Sequence, residues 1–478
     1  MPTDITAMDG VTLARAIAGK RVSSVEVMAA YLDRIDRLNP AVNAIVSRVD
    51  RDDLLRQAAA KDAKLAKNEA VGPLHGFPIA VKDLDATRGI RTTKGSPIFK
   101  DFVPDADSIM VERLRAAGAI LIGKTNVPEF GLGSHTRNPV FGPTRNPYDL
   151  SRTPGGSSGG AAVALALRML PVADGSDYGG SLRNPAGWNN VFGFRPSTGR
   201  VPAGDGELWL PTMGTAGPMA RTVPDLAMLL AAQSGYDARS PLSIAEDPGV
   251  FTRPLQRDFK GTRIAFLGDF EGYLPYGPGV LEVCRAAMKT FEDMGCSVED
   301  AVPDYPVDKV WQAWLTLRAW QSGGSGRIHY DNPAERPLLN AQMLFEVERG
   351  MKLSAFDITR ASLIRSDWYR AVLAFFRRYD FFVLPTAQIF PFPVETLWPT
   401  EIAGRPMATY HEWMKVVLPV TMSGCPALAA PAGFSADGLP MGIQIVGPNH
   451  AELACLQLAY AYDQASGWVT KRPPPMGG

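Results

Sequence analysis

Two glycine-rich segments that contain serine are the first candidates for chemistry in this sequence. One reads PGGSSGG and includes Ser157, and the other reads GSDYGGS and ends at Ser181. Glycine allows positive φ angles and close backbone approach, so a Gly-Gly-Ser turn can direct several backbone N–H groups at one point beside a hydroxyl. That arrangement stabilises an oxyanion during acyl transfer. Two turns around a buried helix at 161–170, with no catalytic role, would explain the same pattern.

A lysine at the end of an apolar segment is the third candidate. The sequence GFPIAVKD at 76–83 predicts a strand that ends at Lys82. Apolar neighbours would desolvate the ammonium group, and desolvation lowers the pKa of a lysine toward the range in which the amine acts as a base. Successive side chains of an extended chain point to opposite faces, so Asp83 would face away from Lys82. A solvated or ion-paired lysine is the structural alternative.

These segments and several others resemble the amidase signature family of serine hydrolases. The further matches are GKTNVPEFG at 123–131, FGPTRNPYD at 141–149, GPMARTVPDLA at 217–227 and SGCPALAAPAGFSADGLPMGIQIVGP at 423–448. The resemblance extends from about residue 20 to 465. It implies an α/β fold with a central mixed β-sheet covered on both sides by α-helices. It also implies hydrolysis of an amide without a metal or other cofactor.

The resemblance assigns three catalytic residues. Lys82 matches the general base, Ser157 matches the serine that relays the proton and has a cis peptide bond beside it, and Ser181 matches the nucleophile. Attack by Ser181 on the carbonyl carbon would give an acyl-enzyme that water then hydrolyses. The backbone N–H groups implied for the oxyanion hole are those of Tyr178, Gly179, Gly180 and Ser181.

Three further residues are implied to support this centre. Asp177 and Arg183 would pair and fix the nucleophile turn, and Ser158 would form hydrogen bonds within the site. An ordinary surface ion pair is the alternative for Asp177 and Arg183, and burial would distinguish the two. Tyr178 stands where many relatives have threonine. Its side chain would either narrow the acyl pocket or pack outward.

The substrate pocket is harder to predict from the sequence. We expect contributions from Gly131, Leu132, Gly133, Ser134 and Trp209. An aromatic stretch at 390–413 would add rings that favour apolar or aryl groups, although the same rings could pack in the core. Aryl amides, carbamates and esters share the tetrahedral intermediate, so all three remain open. The aromatic and histidine residues of this stretch that we single out are Trp398, Tyr410, His411 and Trp413.

The elements that position these residues follow an α/β pattern. Short apolar runs at 77–81, 119–122, 264–266, 381–384 and 442–446 predict strands, and 108–117 and 225–232 predict helices between them. Ser23 and Glu26 form a capping box for an N-terminal helix that we expect to stop at Asn39-Pro40.

We interpret residues 1–478 as one domain with four regions. A helical N-terminal region covers about 1–69, and a catalytic core covers about 70–235. A peripheral helical or lid region, with longer helical patterns at 280–294 and 367–376, covers about 236–380. The stretch from about 381 to 465 completes the core.

Composition excludes several classes of protein. The 478 residues include 46% hydrophobic and 21% charged residues, which is typical of a globular protein. Equal numbers of basic and acidic residues, 49 of each, argue against nucleic acid or a membrane as a partner. The four scattered cysteines indicate buried thiols of a reducing compartment, and no secretory signal is recognisable, so we expect a cytoplasmic protein. A homodimer stays open as its form of assembly.

Three alternatives remain at this point. The glutaminase subunit of a tRNA-dependent amidotransferase shares these motifs but needs a partner. Residues 118–125, GAILIGKT, match the phosphate-loop pattern and would make the chain a nucleotide-binding protein. Residues 155–159 match the G-x-S-x-G nucleophile elbow, which would need a histidine and an acid in a triad. No metal-ligand motif is present.

Overall fold

Two β-sheets of unequal size carry the lysine and serine segments. The computed structural model describes residues 4–210 and 212–477. The strands are β1 (Ile45–Val46), β2 (Pro78–Lys82), β3 (Ile120–Thr125), β4 (Arg137–Asn138), β5 (Gly142–Pro143), β6 (Ala173–Asp177), β7 (Phe192–Arg195), β8 (Thr215–Ala220), β9 (Arg263–Phe266), β10 (Ser297–Asp300), β11 (Phe381–Pro385), β12 (Glu401–Ile402), β13 (Arg405–Pro406), β14 (Ala427–Phe434) and β15 (Pro440–Val446).

Helices surround these sheets. They are α1 (Gly10–Ala18), α2 (Ser24–Val42), α3 (Arg51–Ala66), α4 (Ile109–Ala116), α5 (Gly159–Ala166), α6 (Arg183–Trp188), α7 (Val223–Gln233), α8 (Val280–Asp293), α9 (Val307–Tyr330), α10 (Ala341–Gly350), α11 (Ala355–Phe375), α12 (Leu418–Ser423), α13 (Glu452–Ser466) and α14 (Trp468–Lys471). Within the described residues, no helix is both long enough and apolar enough to span a bilayer.

The larger sheet has eight strands in the order β10-β9-β11-β15-β14-β7-β8-β6. Strands β10, β9 and β11 are parallel, and every pairing from β11 to β6 is antiparallel, so the sheet is mixed. Alternate residues of its central strands enter different clusters. Leu428 and Ile443 pack with residues of α7, α8 and α13, whereas Ala427 and Phe382 pack with residues of α9, α11 and α12. Helices therefore bury both faces, as the α/β interpretation predicts.

The smaller sheet contains the lysine strand. Its order is β1-β3-β2, with β2 parallel to β3 and β1 antiparallel to it. The backbone N–H of Lys82 donates to the Asp174 carboxylate at 3.0 Å, and this bond joins β2 to the edge strand β6 of the large sheet. The lysine and the segment before Ser181 are therefore brought together by two separate sheets rather than by one.

The region at 236–380, which the sequence predicts to be peripheral, also contributes strands to the large sheet. It contains the long helices α8, α9 and α11, but it also supplies β9 and β10, which form one edge of the large sheet. The β-branched and aromatic character of β9, RIAF, suits a buried parallel strand, and its last three residues are buried. This region is thus partly built into the core.

The N-terminal helix α2 begins as predicted and ends later. Ser23 and Glu26 form the capping box. Pro40 does not stop the helix, which continues to Val42 and closes with Asn43 in the left-handed conformation. Pro40 lies in the last turn, where few helical hydrogen bonds remain to be lost, and the N–H of Asn43 donates to the Asn39 carbonyl. The four cysteines are buried and unpaired, as expected.

Candidate active site

Lys82 lies at the end of β2 with its side chain fully enclosed. Its Nζ is 2.8 Å from Ser157 Oγ and 2.8 Å from Ser158 Oγ. Ser176 completes the environment, with its hydroxyl at 3.0 Å and its carbonyl at 3.1 Å from the same nitrogen. Asp83 points away, as the strand alternation predicts, and accepts hydrogen bonds from Thr93.

The enclosure of Lys82 changes its proton affinity. Burial lowers the pKa of Lys82 from 10.5 to about 8, against the opposing attraction of Asp85, Asp174 and Asp177. The carboxylates weaken this effect only in part, because none of them forms an ion pair with the ammonium group. A substantial fraction of the lysine is therefore neutral at mildly alkaline pH and can accept a proton.

Ser157 is held by a loop that only small residues can form. The peptide bond between Gly156 and Ser157 is cis, as the resemblance implies. Helix α5 follows directly, and its first turn lies against neighbouring backbone. A Cβ on Gly160 would stand 2.4 Å from the Asn126 nitrogen and 2.6 Å from the Ala44 carbonyl oxygen. The glycines after Ser158 thus allow α5 to approach the lysine sheet closely.

The nucleophile turn wraps around one buried carboxylate. Asp177 accepts from Arg183 at 2.9 and 3.0 Å and from Arg195 at 3.2 Å, and all three side chains are fully buried. It also accepts from the backbone N–H groups of Gly180 at 2.9 Å and Leu182 at 3.1 Å. Burial alone would raise the pKa of Asp177, but the two arginines hold it well below the usual range. Asp177 and Arg183 are therefore not a surface ion pair.

This wrapping corrects one member of the expected oxyanion hole. The Gly180 N–H donates a hydrogen bond to the Asp177 carboxylate, so it is not directed at a substrate. Within the described chain, the N–H groups of Tyr178, Gly179 and Ser181 have no acceptor. Buried backbone donors are rarely left unpaired, so these three N–H groups are candidate donors to a ligand oxygen.

A backbone hydrogen bond joins Ser181 to the segment that contains Ser157 and Ser158. The N–H of Ser158 donates to the Ser181 carbonyl at 3.2 Å. No hydrogen bond joins the Ser181 hydroxyl to that of Ser157 in this structure. Such catalytic hydrogen bonds often form only in the complex with substrate.

The Tyr178 side chain packs outward. Its hydroxyl donates to Gln321 Oε1 of α9 at 2.8 Å, and the Arg318 guanidinium lies 5.1 Å from its ring centroid. The ring therefore does not narrow the acyl pocket. Of the two orientations open from the sequence, the structure has the second.

A buried polar cluster above this turn was not anticipated. Glu346 of α10 accepts from Arg318 at 2.9 Å, from Tyr410 at 2.6 Å and is 2.6 Å from His411 Nε2. Burial opposes ionisation of Glu346, but Arg318 and the two hydrogen bonds lower its pKa to about 2. The cluster joins α9 and α10 to the loop before α12. Its members lie far apart in the sequence, so no local motif predicts them.

A cavity of about 730 Å³, which we call the Trp398 cavity, is lined in part by Ser134 and His135. The backbone of these two residues lies against Gly156, the residue before Ser157. The wall of the Trp398 cavity includes Leu132, Gly133 and Ser134, as expected. Gly131 lies next to this wall, and a Cβ there would stand 3.5 Å from Ser157 Oγ. The aromatic stretch contributes Trp398, Tyr410 and Trp413 to the cavity, whereas His411 is buried in the cluster around Glu346.

Trp209 does not belong to this wall. It is 64% exposed and lies over α9 and α11 in a separate surface depression with Leu210 and Trp320. The Glu207 side chain accepts hydrogen bonds from the N–H groups of Trp209 and Leu210, which turns this loop outward. Trp209 therefore lies outside the cavity that Leu132, Gly133 and Ser134 line, and its contact with substrate stays a prediction.

The phosphate-loop pattern is also overturned. Residues 120–125 are strand β3, and a 3₁₀ turn at Glu129–Gly131, not an α-helix, follows them. The buried Lys124 Nζ donates to the Asp85 carbonyl at 2.6 Å and to Thr87 Oγ1 at 2.7 Å. A phosphate loop needs a helix N-terminus and an accessible lysine, and neither is present here.

Ser176 and Arg195 were missed although the sequence held a signal for one of them. Alternation along β6 places Ser176 on the same face as Asp174, and both contact Lys82. Arg195 ends β7, and its contact with Asp177 follows only from the pairing of strands.

Comparisons with known proteins identify chains that are similar to this one over almost its whole length. The family model described as Amidase matches residues 26–456. An acylamidase from Rhodococcus erythropolis is 33% identical over 471 residues, which cover 96% of this chain and 96% of that protein. One subunit of the glutamyl-tRNA(Gln) amidotransferase of Thermosynechococcus vestitus is 34% identical over 489 residues, which cover 96% of this chain and 98% of that protein.

The similarity extends to three-dimensional structure. The crystal structure of a bacterial aryl acylamidase of the amidase signature family has a TM-score of 0.90 to this chain at 29% identity. The superposition covers 96% of each chain, so the two proteins share the overall fold.

Proposed function

Because the chain belongs to the amidase signature family and is thereby a hydrolase of C–N amide bonds, we propose that it cleaves a carboxylic amide through an acyl-enzyme on Ser181. Ser157 relays the proton and Lys82 is the general base. The observation that carries this proposal is the 2.8 Å contact between the buried Lys82 Nζ and Ser157 Oγ, beside a turn with three unpaired N–H groups.

The relay moves one proton in two short steps. Neutral Lys82 accepts the proton of Ser157, and Ser157 accepts the proton of Ser181 as Ser181 Oγ bonds to the carbonyl carbon. The electron pair of the carbonyl π bond moves to oxygen. When the tetrahedral intermediate collapses, the C–N bond breaks, and the leaving nitrogen takes the proton back through Ser157. Water then attacks the ester and releases the acid.

Substrate binding completes the relay. In the free enzyme the Ser157 and Ser181 hydroxyls are not bonded to each other, so we expect a rotation of the Ser181 side chain when a carbonyl group occupies the site. Ser158 and Ser176 hold Lys82 in place during this change because both already accept from its Nζ. They act as positioning residues.

The N–H groups of Tyr178, Gly179 and Ser181 stabilise the oxyanion. Each well-directed donor contributes roughly 3 kcal/mol to the stability of the transition state. Asp177 keeps the turn in shape by holding Gly180 and Leu182, and Arg183 and Arg195 keep Asp177 charged. This support explains why a carboxylate is buried so near an anionic intermediate.

The Trp398 cavity favours an apolar or aryl part of the substrate. Trp398, Tyr410 and Trp413 line it, and aromatic walls bind rings through large contact areas. An aryl carbamate or ester would enter the same space. A stand-alone acylamidase is thus the function that the geometry supports best.

The second function is that of a glutaminase subunit. The 34% identity to a subunit of a glutamyl-tRNA(Gln) amidotransferase, over 96% of this chain, favours it. A glutaminase subunit would release ammonia from glutamine only with its partner. Hydrolysis of other amides by the isolated chain separates the two functions.

The deciding experiment measures amine release from anilides, aliphatic amides, aryl carbamates, esters and glutamine. We expect the wild type to hydrolyse an aryl amide and Ser181→Ala to lose at least about 10⁴-fold in kcat. Ser297→Ala, an exposed serine on β10, is the matched control and should keep full activity. A fluorophosphonate should label the wild type, and the added mass should lie on Ser181.

Two results would overturn the proposal. Full activity of Ser181→Ala would remove the nucleophile from the mechanism. Inactivity of the isolated wild type on the whole panel, with glutamine cleaved only after addition of a partner subunit, would replace the acylamidase by the glutaminase.

A further inference from the structure

A second, smaller pocket shares the lining residue Leu132 with the Trp398 cavity. Its volume is about 280 Å³, and we call it the Lys94 pocket. We propose that the Lys94 pocket binds a carboxylate carried by the substrate, with the Lys94 ammonium group and the Ser322 hydroxyl as donors. This inference rests on the proposed function and names the class of amide that the site prefers. The side chains that the argument uses are Leu84, Lys94, Phe99, Leu132, Ser322 and His329.

Lys94 is a half-buried cation without an anionic partner. Its Nζ lies 4.8 Å from the Phe99 ring centroid, and within the described residues it forms no hydrogen bond and no ion pair. The backbone is fixed because the Lys94 carbonyl accepts from the Phe130 N–H at 2.8 Å. An ammonium group held over a ring and shielded from part of the solvent attracts an anion more strongly than a fully exposed one.

Helix α9 supplies the opposite wall. Ser322, Ser325 and His329 are spaced by three and four residues and therefore share one face of the helix. The Ser325 hydroxyl donates to the Ser322 carbonyl at 2.9 Å. The Ser322 hydroxyl has no hydrogen bond of its own among the described residues, so its proton is available to a ligand.

The carboxylates near this pocket do not line it. Glu335 lies 2.6 Å from His329 Nδ1 and is held there. Asp85 is half-buried, and burial raises its pKa against the opposing charges of Lys124, Lys82 and Lys94. Among the described residues it makes no ion pair with Lys94. No acidic side chain lines the Lys94 pocket among the described residues. The Lys94 ammonium group is therefore a charged group in the lining that no acidic side chain of the lining offsets.

The pocket adjoins the reacting atoms. Leu84 and Leu132 flank Gly131, and a Cβ on Gly131 would contact both Leu84 Cδ1 at 2.8 Å and Ser157 Oγ at 3.5 Å. The Leu84 side chain, which lines the Lys94 pocket, and Ser157 Oγ therefore both lie beside Gly131. A carboxylate bound there would hold a substrate whose amide lies several bonds away, over the serine pair.

The charge selects amides that carry a carboxylate on either the acyl part or the amine part. Glutaranilate carries it on the acyl part and is matched by the neutral valeranilide. 4-Acetamidobenzoate carries it on the amine part and is matched by acetanilide. Each pair has the same scissile bond, so a comparison within a pair isolates the charge.

The test replaces Lys94 by methionine, which keeps the length of the side chain and removes the charge. We expect Lys94→Met to raise KM for the charged member of at least one pair about tenfold, and to change KM for the neutral members less than about twofold. Lys94→Arg should retain most of the preference. Equal changes for charged and neutral members, or no change for either charged member, would overturn the inference.

A binding measurement keeps this test independent of catalysis. Glutaranilate and 4-acetamidobenzoate are titrated calorimetrically into Ser181→Ala, with and without Lys94→Met. Weaker binding of a charged amide only when Lys94 is replaced supports the pocket even if no amide is turned over. Equal affinities for the charged amides with and without Lys94→Met, together with normal hydrolysis of valeranilide by the wild type, would reject the pocket and leave the proposed function intact.

Discussion

Two regions meet at Ser157 and Ser181, and they are built differently. The first region, which we call the buried layer, contains Lys82, Asp177 and Arg183, whose side chains are fully buried and hydrogen-bonded. The second region, the open face, consists of the Trp398 cavity and the Lys94 pocket, which segments distant in the sequence line. Buried side chains such as Trp413 and half-buried ones such as Lys94 both contribute to this lining.

In the proposed mechanism, this difference separates the residues that would catalyse the reaction from those that would select the substrate. Buried charges and backbone donors are fixed before substrate arrives, so they cost little reorganisation during reaction. The side chains of the open face each add a modest contact. We therefore expect large effects on activity or stability from substitutions in the buried layer and small effects from substitutions at the open face. Four measurements test this division.

The largest effect is expected from Lys82→Met. This change keeps an unbranched side chain and removes the base, so kcat/KM for an aryl amide should fall about 10³-fold. The melting temperature, measured beside the activity, shows whether the fold survives. A folded variant that keeps more than a tenth of the wild-type rate would contradict the relay.

Asp177→Asn tests the buried support of the nucleophile turn. The variant leaves Arg183 and Arg195 without a counter-charge in the interior, so the free energy of unfolding should fall by about 3 kcal/mol in urea denaturation. Asp380→Asn is the matched control because Asp380 pairs with Arg263 at the surface. That variant should lose less than about 1 kcal/mol, and equal losses would contradict the contrast between buried and exposed pairs.

The pH profile tests the protonation state of Lys82. The neutral amine is the active form, and its pKa is about 8, so the protonated and inactive fraction grows as the pH falls. We expect kcat/KM to rise about tenfold per pH unit below that value and to level off above it. A 4-nitroanilide assayed between about pH 5.5 and 9.5 gives this profile, and a level line across the range would rule out Lys82 as the base.

Trp398→Ala should give a smaller effect, confined to binding. Loss of one aromatic wall is expected to raise KM for an aryl amide about tenfold, or ~1.4 kcal/mol, with little change in kcat. Trp209→Ala is the matched control, since Trp209 is exposed outside the cavity. A larger effect of Trp209 than of Trp398 would show that the loop at 203–210 closes over the substrate.

Local sequence predicted much of the fold. The apolar run at 381–384 is strand β11, Phe381–Pro385, and the run at 442–446 lies within β15, Pro440–Val446. Apolar periodicity and caps depend on neighbours in the chain, so these elements follow from short windows. The end of α2 was misplaced because a proline in a final turn costs few hydrogen bonds.

The site was predictable only where its residues lie in recognisable motifs. The structure brings Lys82 and Ser157 into contact across 75 residues, in agreement with the family resemblance. The sequence did not predict which N–H groups of the nucleophile turn lack an acceptor, because the Gly180 N–H donates to the Asp177 carboxylate. Which of two neighbouring donors meets a carboxylate depends on the path of the backbone, and residue types do not specify it.

The sequence by itself determined the residue types that can do acyl transfer, the glycines that let their backbones approach, and the strands and helices that carry them. Tertiary structure decided what surrounds them. It buried Lys82 and so lowered its pKa, paired Asp177 with Arg195, turned Trp209 outward and, among the described residues, left Lys94 without an acidic partner. Local patterns depend on residues a few positions apart, whereas burial and charge depend on segments that meet only when the two sheets and α9 pack together.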